Sequence, residues 1–475
     1  MFSNLIKKNF CQKIFRRNFK ILDSNDINYF SSILETNSLQ TEDLDPYNTD
    51  WMKKYKGFSK LVLKPTNIKE ISQILKYCNN NNLAVVPQGG NTGLVGGSIP
   101  VFDEIILNLS KISKIIEYNP QEKTIKCEAG CILQNLNNFL KPFKRVMPLD
   151  LGAKGSCMIG GNISTNAGGI HFVKYGSLRN NIKSLKVVLP TGKILQLNEN
   201  KHDLKQLFIG AEGTLGVIAE AEIKTQILYE NNSLTIIGLN SFDKVIELYS
   251  KAKIHFKNNL TAIEFFDSEC MRLLNIYLGY KPLFENNPTK YNFYLLIQNS
   301  SNEENCFDEM SNYLEKENLE EDCIITDIPG KMKELWQYRE DISSACGKRG
   351  VVFKYDVSLP LDYFYKIVQD IRQRVADSGI TLGYGHVGDF NLHLNVSYDR
   401  YNHDDGYEKL EKILEPYIFD YLKEINGSIS AEHGVGIAKS AYLNRSQSEE
   451  NIKLMKNIKL AVDKSGIMNP YKIFQ

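Results

Sequence analysis

Residues 87–98 read PQGGNTGLVGGS. Consecutive glycines let backbone N–H groups come close to a ligand and point one way, which makes an anion nest suited to phosphate. Residues 83–87, just before, form a short apolar run expected as a strand. Two further blocks share this character: MPLDLGAKGSCMIGGNISTNAGG at 147–169 and FIGAEGTLGV at 208–217. Any one of them could be an ordinary loop. Three between residues 87 and 217 point to one large phosphate-bearing ligand. None ends in GK[ST], so a P-loop is excluded.

Outward from these blocks, Ile68, Ile71, Ile74, Leu75 and Cys78 recur at helical spacing after Pro65, and Asn79–Asn82 end the helix. Strands are expected at 104–109 and 123–130. A hairpin turning at Thr191-Gly192 is expected over 184–197. Residues 24–60 read as a helical lead-in, and the chain from about Ser448 as helical. Short strands alternating with helices indicate α+β or α/β. The glycine motifs stop near 225–235. Beyond that point come strand signals such as SLTIIGL and FYLLIQ, with amphipathic helices between them, so a domain boundary is placed near 226–232.

The chain has 475 residues, 42% of them hydrophobic. That suits several domains with ample cores and excludes a disordered chain. No apolar run approaches the ~18–20 residues that a membrane span needs. Basic and acidic residues number 57 and 56, which gives no basic field for nucleic acid. The first 22 residues hold Lys7, Lys8, Lys13, Arg16, Arg17 and Lys20, with no acid before Asp23. This reads as a mitochondrial transit peptide, a basic N-terminal extension being the plainer alternative. Nine scattered cysteines without a CxxC pair do not make a disulfide scaffold. Cys127 and Cys131 are expected to be buried.

Gly383-Tyr-Gly385-His-Val-Gly388 fits GxGxxG, but a strand-like alternation follows where a dinucleotide site needs a helix. A nicotinamide site is therefore excluded. In residues 391–396, Asn391, His393 and Asn395 share one face. His386, His393 and Glu432 offer imidazole and carboxylate ligands for Zn²⁺. The spacing alone favours hydrogen-bonded or cofactor-facing histidines over a metal. His433 follows Glu432, and Gly434 and Gly436 allow the chain to break from strand geometry there. Arg339 and Lys354 could grip a carboxylate, though each alone also suits a surface.

Together these blocks resemble the FAD-binding domain of vanillyl-alcohol-oxidase-type flavoproteins. Within that superfamily they resemble the D-2-hydroxyglutarate dehydrogenase family. The likeness spans about residues 45–475 and rests on PLDLGAKGSC, IGGN, TNAGG, DLKQLFIG, EGTLG, KYDVSLP, GYGHVGD, NLHLNV, AEHGVG and NPYK. KYDVSLP and the two histidine blocks are the most specific.

The resemblance implies an α+β fold: a transit peptide over 1–22, an FAD-binding domain over 45–228, an antiparallel-sheet substrate domain over 229–420, and a helical C-terminal segment over 421–475 returning to the flavin. It implies noncovalent FAD held around Pro87, Gly89, Gly90, Asn91, Thr92 and Gly93. From the second block come Gly152, Gly160, Gly161, Thr165, Asn166, Gly168 and Gly169. From the third come Glu212, Gly213, Gly216 and Val217, with Asn469 near the end. The family's metal ligands match His386, His393 and Glu432, for Zn²⁺ or another divalent ion. Its substrate-binding positions match Arg339, Ser343, Lys354, Asn395 and His433, with His433 as general base. Ser343 stands where Thr is expected. His202 and Ala211 replace Tyr and Ser.

The implied reaction is oxidation of D-2-hydroxyglutarate to 2-oxoglutarate in the mitochondrial matrix, with electron-transfer flavoprotein as acceptor. A homodimer is left open. Phe390 stands where the family has glycine and could narrow the site. A closed site would leave a catalytically impaired flavin-binding protein. D-lactate dehydrogenase, which shares the FAD domain and the histidine cluster, is the nearest alternative, and the glycine blocks argue against a flavin-free zinc hydrolase.

Overall fold

The structure, a computed structural model, describes residues 17–199, 202–284, 290–303, 305–399 and 406–474. Most of the expected transit peptide, residues 1–16, lies outside them. The chain divides into two compact units. The first comprises the described residues through Ala167, then Ser177–Ile227 and Glu432 onward. The second comprises Gly168–Gly176 and Leu228–Ala431. Among the described residues, no helix is long and apolar enough to cross a membrane.

The first unit holds two principal sheets. In one, strands Val62–Leu63, Ile105–Asn108 and Val85–Gln88 run parallel, and Leu39–Gln40 pairs antiparallel on the edge. Helix Ile68–Asn80 connects Val62–Leu63 to Val85–Gln88, as parallel strands require. It starts where Asn67 accepts hydrogen bonds from the N–H groups of Lys69 and Glu70. It buries Ile71, Ile74, Leu75 and Cys78, the stripe that the sequence spacing predicts. The second sheet is antiparallel, in the order Ile115–Asn119, Thr124–Glu128, Val217–Lys224, Ile182–Val188, Ile194–Asn198. The last two strands form the expected hairpin, with Gly192 at φ +80° in its turn. Cys127 and Cys131 are buried in this unit's core.

The lead-in differs from expectation. Only Ser24–Ile33 and Asp45–Asn48 are helical between residues 24 and 60. Asn37, Asp43 and Lys53 adopt positive φ, which breaks any longer helix. Near the C-terminus, helix Glu449–Val462 is capped by Ser448. Lys459 then ties its last turn to the Thr214 and Met468 carbonyls.

The second unit is built on one sheet of seven strands: β1 Asn231–Leu239, β2 Leu260–Asp267, β3 Phe293–Ser301, β4 Cys323–Thr326, β5 Val351–Ser358, β6 Ile380–His386 and β7 Asn391–Tyr398. Its order is β4-β1-β3-β2-β6-β7-β5, antiparallel throughout. Helices Ser268–Leu278, Pro329–Glu340 and Ile342–Arg349 contribute Leu274, Leu335, Ile342 and Cys346 to a core with Phe266, Tyr294 and Leu382. On the opposite face Phe265 packs with Phe242 and Phe364. Gly383 and Gly385 lie inside β6, and only the short 3-10 turn Val387–Asp389 and Phe390 separate it from β7, so the GxGxxG match opens no α-helix.

Candidate active site

The first unit's cleft is lined by all three glycine blocks. Pro87, Gly89, Gly90, Asn91, Thr92, Gly93, Gly160, Gly161, Thr165, Glu212, Gly213, Gly216 and Val217 border it, as does His433. Its empty space, open mouth included, is about 870 Å³. A Cβ added at Gly93 or Gly161 would meet no protein atom within 4 Å. That bare space is what a ligand pressed against backbone requires. Among the described lining residues none is Lys or Arg, so phosphate here would meet backbone N–H and hydroxyl groups. These features fit FAD.

The other residues expected at the flavin do not border this cleft directly. Gly152 is not among the lining residues. Asn166 accepts hydrogen bonds from Ser177 Oγ and the Arg179 N–H and so braces the chain. Asn469 Nδ2 donates to the Gly97 and Glu212 carbonyls. Gly168 and Gly169 fall in the second unit. Sequence reasoning also missed Gln88, Ser98, Met158 and Ser164, which border the cleft. Ser164 flanks a predicted contact in the short helix Ile159–Thr165, but a lone polar residue there carries no signal of its own.

Glu212 is buried, and burial raises its pKa against the lowering effect of two backbone hydrogen bonds. Its oxygens accept from the N–H groups of Val435 and Gly436, each at 2.7 Å. The loop carrying Glu432 and His433 is therefore anchored to the EGTLG segment. No strand forms there: Gly434 sits at φ +87° and Gly436 at φ +50°.

The second unit carries its own polar cluster, set out by strand register. Across the sheet Glu264 faces His386, which faces Asn391. Tyr384 faces His393, which faces Asp356. Leu382 faces Asn395, which faces Lys354. Directly opposed residues in a ladder project on one side, so these rows share a face. The Nε2 atoms of His386 and His393 lie 3.2 Å apart. At the ~2.0–2.1 Å bond length of zinc to imidazole, a tetrahedral site has ligand atoms about 3.3 Å apart. Glu264 Oε1 lies 2.5 Å from His386 Nδ1, an outer carboxylate of the kind that orients metal-bound histidines. The residues fit a divalent ion.

Beside them, Tyr384 joins the expected substrate contacts. Its hydroxyl lies 3.1 Å from Ser343 Oγ and accepts a 2.8 Å hydrogen bond from Asn395 Nδ2. The Arg339 guanidinium lies 4.8 Å above its ring. Burial raises the Tyr384 pKa, so the phenol stays protonated. Burial also lowers that of Lys354. Arg339, Ser343, Asn395 and Tyr384 thus meet in one cluster. Tyr384 and Glu264 were the residues missed. Tyr384 alternates with His386, and Glu264 is the one acid inside the apolar run LTAIEFF. Phe390 takes φ +61° with its side chain 42% exposed, and the two imidazoles still converge.

Family models match the chain twice: an FAD binding domain over residues 59–198, and the C-terminal domain of FAD linked oxidases over 228–473. Solved structures of alkyldihydroxyacetonephosphate synthase (TM-score 0.73, 16% identity, covering 96% of this chain and 86% of that one) and p-cresol methylhydroxylase (0.75, 14%, 96% and 98%) share the fold. The D-2-hydroxyglutarate dehydrogenase of Arabidopsis thaliana is 44% identical over 96% of this chain and 82% of its own. That of Danio rerio is 40% identical over 96% and 86%. The D-2-hydroxyglutarate–pyruvate transhydrogenase of Saccharomyces cerevisiae is 40% identical over 96% and 95%.

Fold and cleft thus define an FAD-linked oxidoreductase of the vanillyl-alcohol-oxidase type. More narrowly, the chain belongs to the D-2-hydroxyglutarate dehydrogenase family.

Proposed function

We propose that this protein oxidises D-2-hydroxyglutarate to 2-oxoglutarate with FAD in the mitochondrial matrix; the names of its relatives give the mitochondrion as their location. The observation that carries the substrate choice is the cluster of Arg339, Ser343 and Asn395 around Tyr384, with Lys354 in the adjoining row. Two cations suit a second carboxylate, which lactate lacks.

In this reading Arg339, Ser343 and Lys354 bind the distal carboxylate, and Asn395 orients the end that reacts. Bound FAD would supply the two-electron acceptor for the hydride leaving Cα, and a divalent ion a Lewis acid for the α-hydroxyl. His386, His393 and Glu432 would hold that ion. His433 takes the hydroxyl proton as the carbonyl forms. The buried sheet face around His386, Asn391 and His393 excludes water from the reacting groups. FAD sits noncovalently in the first unit's cleft, and electron-transfer flavoprotein is the expected acceptor.

The test is steady-state turnover with D-2-hydroxyglutarate, D-malate and D-lactate, before and after chelation. D-2-hydroxyglutarate should give the highest kcat/KM, and the chelator should remove it. A preference for D-lactate would reject the substrate assignment. Supplying electron-transfer flavoprotein or pyruvate as sole oxidant then identifies the acceptor, since the yeast relative's name points to pyruvate for that protein.

A further inference from the structure

Glu264 lies at the centre of β2, a strand whose eight residues are all buried. Its side chain is 0% exposed. It stands directly opposite His386 in the β2–β6 ladder. One carboxylate oxygen, Oε1, meets His386 Nδ1 at 2.5 Å. The other, Oε2, accepts from Arg339 Nε at 2.9 Å. A single buried acid therefore touches both a proposed metal ligand and a proposed substrate ligand.

We propose that Glu264 is a positioning residue that sets the tautomer of His386 for metal and the orientation of Arg339 for the substrate carboxylate, and so couples the two binding events. The inference rests on the metal and substrate assignments made above. An ionised carboxylate accepts hydrogen bonds and donates none. Its contact with Nδ1 places the imidazole proton there and leaves Nε2 as the atom that carries the lone pair. That Nε2 is the one aimed at His393. On the other side, Arg339 spends Nε on Glu264 and stacks on Tyr384. Among the described residues that is its one hydrogen bond, so both terminal amino groups are left to grip a carboxylate end-on.

Glu264→Gln separates the two functions without changing side-chain volume. An amide has one accepting oxygen. With that oxygen toward His386, the amide N–H₂ opposes the Arg339 donor. With the amide reversed, the N–H₂ meets Nδ1 and drives the proton onto Nε2, where it blocks metal. Either orientation breaks one half of the bridge.

The experiment uses full-length flavoprotein. Zn²⁺ is removed with a chelator and titrated back against a chromophoric competitor, for wild type, Glu264→Gln, Glu264→Asp and His393→Ala. Co²⁺ spectra report the ligand geometry, and flavin content and melting temperature report folding. Glu264→Gln should bind Zn²⁺ about tenfold or more weakly. It should also raise KM for D-2-hydroxyglutarate more than KM for D-lactate. Glu264→Asp, a carboxylate drawn back by one methylene, should change both in the same direction by less, and it decides the question if Glu264→Gln fails to fold. Folded variants with wild-type Zn²⁺ affinity, Co²⁺ spectrum and KM would overturn the proposal and leave Glu264 a structural ion pair. Wild-type protein that binds no metal, or that binds it equally after His393→Ala, would instead overturn the metal assignment and this inference with it.

Discussion

The carboxylate of Glu212 closes on the backbone N–H of Gly436 at 2.7 Å, and on that of Val435 at the same distance. A residue of the flavin cleft thus anchors the loop that carries His433. Glu212→Gln keeps one acceptor of two. We expect a stability loss of about 1.5–3 kcal/mol, as for a hydrogen bond to a charged group. Loosening the His433 loop should slow flavin reduction on the order of 10–100-fold, with flavin content unchanged. Stopped-flow reduction and thermal melting check both.

Arg339→Ala should lower kcat/KM for D-2-hydroxyglutarate about a hundredfold more than for D-lactate, within the ~2–5 kcal/mol expected for truncating a buried charged contact. Both substrates share any damage passed through Glu264 to His386, so the ratio isolates the distal carboxylate. Competition kinetics with the two acids measures it.

Lys354 gives a pH signature. Burial holds its pKa below the ordinary 10.5, so its charge is present below the lowered value and lost as pH rises through it. KM for the dicarboxylate should rise over that range in wild type and stay flat in Lys354→Met. The unfolded chain binds this proton more tightly. Folding stability should therefore rise with pH between the lowered value and 10.5, and Lys354→Met should remove that contribution. Initial rates and denaturant midpoints across pH test the two parts.

Phe390→Gly tests whether the aromatic ring closes the site. A non-glycine residue in the left-handed region costs roughly 1–2 kcal/mol, and glycine's greater unfolded-state entropy offsets part of the relief. The ring is exposed and the histidines already converge. Turnover within about twofold of wild type is expected; a large gain would revive the impaired-enzyme reading.

The end of the basic leader packs on the first unit. The Arg17 N–H donates to Tyr471 Oη, Phe19 meets the Tyr471 ring edge-on, and Lys20 binds the buried carboxylate of Asp26. Phe19 and Leu22 also pack against its core. A chain starting at Arg17 should melt about 1–2 °C above one starting at Asp23, as ~1–2 kcal/mol of lost packing implies for a chain of this length. Equal melting temperatures would show that these contacts add nothing.

Much of the fold was legible because its signals are local. The 68–80 helix follows from apolar spacing after Pro65, and the β7 face from strict alternation. The glycine blocks marked the cleft, since bare backbone is itself the signal. Residues 24–60 were misread because helical composition there is overridden by left-handed turns at Asn37, Asp43 and Lys53. Tyr384 and Glu264 were missed for another reason. Their partners are 41 and 122 residues away in the chain; sheet register joins Glu264 to His386, and packing of helix Ile342–Arg349 against the sheet joins Ser343 to Tyr384.

The most direct measurement is anaerobic reduction of the bound flavin, followed by its visible absorbance, as D-2-hydroxyglutarate and D-lactate are added to separate samples. The account predicts complete bleaching by the dicarboxylate at far lower concentration than by lactate, and no bleaching after the metal is stripped. A flavin bleached more readily by lactate, or reduced equally well without metal, would contradict it.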